Sequence, residues 1–169
     1  MAKLETFFEL EEINVTASVG SNGVNLEDDV MVVQALLKYA LAERGFFRKM
    51  TFSEPTGTMD DNTKSLIKQF QRFVRKMNNA DISVDGRIDP AKGKTAFGKK
   101  GQWTIQILNG AALGYFLLSG AIGETYIHDI CRRFPQTQRA IGDLPVGSLG
   151  LTLEPSVRRG IGSLGLALG

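Results

Sequence analysis

One cysteine, Cys131, and one histidine, His128, are all that this chain of 169 residues offers to thiol or imidazole chemistry. A single thiol excludes an intrachain disulfide, and neither a multi-thiolate nor a multi-histidine metal site can be assembled. No metal and no cofactor are expected. Long apolar runs are missing as well. The least polar stretch, GAALGYFLLSGAIG over residues 110–123, is shorter than the roughly 20 residues that a bilayer-crossing helix needs. No membrane span is expected. The opening MAKLETFFELEEINV is interrupted by Glu5, Glu9, Glu11 and Glu12, so it does not read as a secretory signal. The expected location is the cytoplasm, or the cell envelope reached by a route without a signal peptide. No glycine loop of the phosphate-cradling type is present, because the tail glycines of GSLGL do not stand between a strand and a helix.

What is present begins with an uneven spread of charge. The net charge is only +2, yet residues 1–30 hold one Lys against seven Asp and Glu. Residues 38–100 hold fourteen Lys and Arg against seven acids. The amino-terminal arm is acidic and the middle basic. The proportions of apolar and charged residues, 43% and 22%, are those of an ordinary globular protein.

Residues 4–19 mix a possible helix start with an extended tail, in which Val15, Ala17 and Val19 alternate with Thr16 and Ser18. A turn, GSNG, follows. Asp28 and Asp29 then open a helix, either of them able to cap free amides at the positive end of the dipole. Val30, Val33, Leu37 and Leu41 form one face of it, and Val32, Leu36 and Tyr39 widen that face. The helix should end near Gly45. After a loop containing Pro55 and Gly57, Thr58 or Asp60 caps a second helix reaching about Asn78. Leu66, Phe70, Phe73 and Met77 make its apolar stripe, and Lys64, Lys68, Arg72, Arg75 and Lys76 its basic one. Asp85-Gly86 is a tight turn. Thr95 to Gly98 can form a helical turn. QWTIQILN, residues 102–109, reads equally as strand or short helix. A further helix is expected over residues 123–134, stopped by Pro135. In the tail, GSLGLTL and GSLGLAL repeat an alternating Leu pattern that suits a short β-hairpin.

Catalytic candidates are few. His128 and Cys131 lie three apart on one helix face, a spacing that seldom places a base and a nucleophile around a substrate. A half-buried cysteine beside a surface histidine is the simpler reading. Glu124, with Asp129 or Asp143, can be cast as a glycosidase acid pair, and equally as a charged helix cap. The basic stripe is the solvated face of an amphipathic helix unless an anion meets it. No aromatic residues interleave with it, so no nucleic-acid partner is expected.

Three features occur in order along the chain. Asp29-Val30 is followed by Val33-Gln34 and Leu36-Leu37. Gly57, Asp60, Thr63 and Phe70-Gln71 come next. Asp85-Gly86-Arg87-Ile88-Asp89-Pro90, Gly93 and Lys94-Thr95 follow, ending at Leu108-Asn109. This order resembles the peptidoglycan-binding domain family, a three-helix module, over about residues 20–110. The chain departs from the pattern where Pro55-Thr56-Gly57-Thr58 replaces an Asp-Gly, and residues 111–169 have no counterpart.

The resemblance implies a mainly α fold with a peptidoglycan-binding-like three-helix core at 20–110. An extended amino-terminal arm, 1–19, precedes it, and a carboxy-terminal extension, 111–169, adds a helix plus a short β-hairpin. The implied function is non-catalytic recognition of cell-wall glycan or stem peptide, in a specialised secretion or phage setting. The implied site is a shallow groove beside the second helix, formed by Thr58, Asp60, Asn62, Lys64, Lys68, Gln71, Arg72, Asp85 and Arg87. The residues alone, without the family, assign Gln34 and Gln71 to loop ties and Asp85 and Asp89 to loop fixation. Two other classes stay open. One is an adaptor whose apolar tail, 145–169, meets a protein partner or a second copy. The other is a cell-wall hydrolase with its active residues in 111–169.

Overall fold

α1, Glu27–Leu41, is the hub of the fold, and its composition explains why. Twelve of its residues are buried, around most of its circumference. A helix that is apolar nearly all round must be covered on several sides at once. In this computed structural model, which describes residues 2–7, 10–43, 45–92, 102–119 and 125–142, the covers are four further helices and two small sheets. α2 is Asp61–Met77, α3 Thr104–Leu118, α4 Tyr126–Arg133 and α5 Gln136–Ile141. α3 and α5 make the broadest contacts with α1, and α2, α4 and β3 (Val19–Gly20) complete the cover. The described part of the chain is mainly helical, as expected.

At the start of α1 the acidic residues do not act as the sequence suggests. Glu27, Asp28 and Asp29 all sit in the first turn, but Leu26 holds the N-cap position without a side-chain cap. Asp29 instead turns inward, fully buried. Its carboxylate accepts from the Thr16 and Ala17 amides at 3.0 and 2.9 Å and from the Thr16 hydroxyl at 2.8 Å. It therefore ties the preceding segment to the helix instead of capping it.

α2 starts as expected, with the Asp60 side chain accepting from the Thr63 amide. Leu66, Ile67, Phe70 and Val74 are buried, whereas Met77 is 64% exposed. The predicted stripe ends early for a geometric reason. Phe73 lies at the edge of the buried face, where it meets Phe47 edge-on at 5.2 Å between ring centroids. Met77 lies one turn past that cover.

The ambiguous stretch at 102–109 enters α3. The alternation of Trp103, Ile105 and Ile107 is incidental, because Ile105, Leu108, Ala112 and Phe116 recur at helical spacing and are all buried. A division after residue 110 would fall inside α3, and residues on both sides of that point pack in the same core. α4 is capped by Thr125, whose hydroxyl accepts from the His128 amide at 3.3 Å. Pro135, which stops α4, also occupies the N-cap position of α5.

No helix start forms among the described residues of the amino-terminal arm, and the arm does not hang free. β1 (Lys3–Phe7) and β2 (Leu10–Asn14) pair antiparallel, with Lys3 opposite Asn14 and Phe7 opposite Leu10. Ile13 and Val15 are buried, and Asn109 of α3 grips Ile13 by both backbone groups, at 3.0 and 2.8 Å. β3 pairs antiparallel with β4 (Arg87–Ile88), Val19 opposite Ile88. The expected turn at 95–98 and the tail hairpin lie outside the described residues. No helix among those described is long and apolar enough to cross a membrane.

Candidate functional site

Two buried glutamines hold the loops at either end of α2. Gln34 of α1 donates to the Thr58 carbonyl at 2.9 Å and the Thr63 hydroxyl at 3.1 Å. It accepts from the amides of Thr56 and Gly57 at 3.0 and 3.1 Å. Gln71 of α2 donates to Asp85 Oδ1 and the Arg87 carbonyl at 3.0 and 2.8 Å, and accepts from the Gly86 amide at 2.8 Å. Each amide supplies the pairing that a strand would otherwise give, so the loops stay fixed without a larger sheet. Both are structural ties, as the residue-level reading assigns.

Gln71 thereby builds one wall of a groove of about 280 Å³. Its other walls come from Asp81, Ser83, Asp85, Arg87 and Asp89 on the loop, and from Gln102, Trp103 and Thr104 at the start of α3. Three carboxylates face one guanidinium, and that guanidinium is already engaged: Arg87 pairs with Asp89 at 2.9 Å. Asp85 Oδ1 also receives the Arg87 amide at 2.9 Å, which closes the turn. Asp81 is exposed, and Trp103 is half-buried against the core. The groove is thus negative, with one aromatic wall. Such a surface suits an ammonium group or the C–H face of a sugar.

The nine sequence-predicted residues go to three places. Gln71, Asp85 and Arg87 line this groove. Thr58, Asp60 and Asn62 gather at the other end of α2, where they stitch the loop. Asn62 donates to the Thr51 carbonyl and the Ser53 hydroxyl, both at 3.0 Å, and Asp60 accepts from Ser53 at 2.7 Å. Burial opposes charge on Asp60, but its hydrogen bonds from Thr63 and Ser53 outweigh it and hold the carboxyl below 3.8. Lys64 pairs with Asp61 at 3.1 Å, and Lys68 and Arg72 stand on the exposed face of α2. Arg72 lines a second concavity, on the opposite flank from Gln71. The expected nine did not single out Asp81, Ser83 or Asp89 on the loop, and sequence reading missed Gln102, Trp103 and Thr104. The one available signal was that Trp103 is the only tryptophan.

The catalytic candidates among the described residues make bonds within the fold. Asp129 is fully buried, accepting from the Tyr39 hydroxyl at 2.7 Å and pairing with Arg132 and with Arg133 at 3.1 Å. Burial would raise its carboxyl, but those partners together hold it low, which is the reverse of a general acid. Burial pushes the Cys131 thiol up, and His128 shares its Nδ1 with the Thr125 hydroxyl at 2.7 Å. Glu124 and Asp143 lie outside the described residues. Among the described residues no group of three or more His, Cys, Asp or Glu is placed to hold a metal ion.

The fold and groove define a mainly helical protein with a negative, aromatic-walled surface cleft. No protein-family model, curated protein or solved structure matches the chain.

Proposed function

We propose that the chain is a non-catalytic cell-wall binding protein whose α1, α2 and 81–89 loop form a peptidoglycan-binding-like core. The observation that carries this reading is the Gln71 groove. It joins the ordered motif residues Gln71, Asp85, Gly86 and Arg87 to the ring of Trp103. What supports recognition is that the loop lining the groove is already fixed by Gln71, giving a pre-formed cradle. The surplus of carboxylate favours the amine-bearing stem peptide over an anionic polymer, with the glycan lying across Trp103.

Sedimentation with purified sacculi tests the reading. The intact chain should co-sediment well above a control protein of similar charge. Asp81→Lys reverses a charge at an exposed groove position and should release most of the bound protein. Trp103→Ala should do the same, with its folding checked by circular dichroism. Retention no better than the control would sink the proposal, and loss of turbidity in the wall suspension would favour a hydrolase instead.

A further inference from the structure

The flank of α2 opposite the Gln71 groove carries a concavity that the cell-wall reading leaves unused. Gln69, Arg72, Phe73, Lys76 and Met77 line about 460 Å³ of it. Its floor is apolar, with Phe73 half-buried and Met77 64% exposed. Its rim is cationic. Lys68, Arg72 and Lys76 follow one another at intervals of four residues, with Arg75 beside them, and none of the four has an acidic partner among the described residues. Elsewhere Lys38, Lys64, Arg87, Arg133 and Arg139 each reach a carboxylate. Like charges one helical turn apart repel, and the adjoining Met77 leaves apolar surface in water. Neither cost is relieved within the described residues.

The combination narrows the occupant. A bilayer is met by a protruding apolar ridge, and this floor is recessed. A phosphate polymer would neutralise the rim and leave the exposed Met77 uncovered. An acidic amphipathic helix answers both. Acids four residues apart on such a helix rise about 6 Å along its axis, matching Arg72 and Lys76, and its apolar face fills the floor. No described helix of this chain has that character. The acids on helices are Glu27, Asp28 and Asp29 at the start of α1, Asp61, and the buried Asp129. A second copy docking through one of them is therefore a poor fit. We propose that the Arg72–Lys76 groove docks an acidic amphipathic helix of another protein.

The test uses the full chain and a fluorescent synthetic helix with Glu at every fourth position and Leu and Phe on the adjoining face. Anisotropy at low salt should show saturable binding, weakened about tenfold or more by Arg72→Glu with Lys76→Glu. Met77→Asp should weaken it separately, and raising salt to about 0.3 M should weaken it too. A matched peptide with Lys in place of Glu should not bind. All three positions are exposed, and circular dichroism verifies that the variants fold. Absence of saturable binding to the intact chain overturns the proposal, as does binding that survives both variants. Co-sedimentation with anionic lipid vesicles, lost in the same variants while the peptide fails to bind, overturns it in favour of a membrane surface.

Discussion

Gln34 and Gln71 show how much of this molecule rests on single buried amides. Each is almost fully buried, and each serves backbone groups of a loop, in one case beside the short β4 pairing. Replacing Gln71 by Ala leaves the buried Gly86 amide without its acceptor. The expected loss is about 1–3 kcal/mol, read as a lower denaturant midpoint. Retention on sacculi should fall in step, because the turn that places Asp85 and Arg87 loosens. Two glycines test the same loops sterically. A Cβ at Gly57, where φ is +80°, would lie 2.8 Å from the Glu27 carbonyl oxygen. At Gly20, where φ is +109°, it would lie 2.2 Å from the Gly86 carbonyl oxygen. Gly57→Ala should cost about 1–3 kcal/mol in thermal or denaturant melts. Gly20→Ala should cost more, since the closer obstacle is backbone that pairs with Ser21. Residue types of this sort were legible beforehand. Gln34, Gln71, Gly57 and Gly86 were all assigned loop work from their place in the order. Asp29 and Asn109 were not, because only the folded arrangement brings Thr16 to one and Ile13 to the other.

The elements differ in how plainly they were written. α2 has opposed apolar and basic faces and an Asp cap, and the helix forms within a residue or two of the expected bounds. α3 was ambiguous because its opening residues satisfy both a period of two and a helical face, and tertiary burial of Leu108 and Ala112 decided for helix. The charge on α2 makes a prediction at this scale. Arg72 has Lys68 one turn before it and Lys76 one turn after. Arg72→Glu turns two repulsions into two attractions, each pair worth about 0.2–0.5 kcal/mol. The variant should therefore melt slightly higher than the parent at low salt, with the gain shrinking as salt is raised. A lower melting temperature would mean that Arg72 has a packing role that its exposure does not suggest.

At the scale of the whole molecule the helices after residue 102 belong to the same core as those before it. α3 and α5 cover α1, and Tyr126 of α4 reaches Asn109 at 2.8 Å and the Glu11 carbonyl at 3.0 Å. The full chain should unfold in one transition by calorimetry. A fragment of residues 20–110 would leave much of α1 bare, and it should lack a cooperative melt and bind an apolar dye. A stable, cooperative fragment would show the later helices to be an appendage. Acid should also act on the whole. The carboxyls of Asp60 and Asp129 are held below 3.8 when folded. A depressed carboxyl contributes stability that is complete above its unfolded value and is lost as pH falls through the folded one. The denaturant midpoint should be flat above about pH 5 and drop below about pH 4. In Asp129→Asn the drop should be shallower, starting from a lower plateau.

The sequence by itself determined that the protein is mainly helical. It placed α1 and α2 to within a few residues and most of the side chains they bury, and it marked the turns at Gly57 and Gly86. Those properties follow from local spacing and backbone freedom, which the order of residues contains. The folding of the acidic arm into a hairpin gripped by Asn109 was decided by the tertiary structure alone. So were the use of Asp29 as a buried tie and the joining of Trp103 to the Gln71 groove. Each of these depends on residues far apart in the chain meeting in space, and no local pattern records such a meeting.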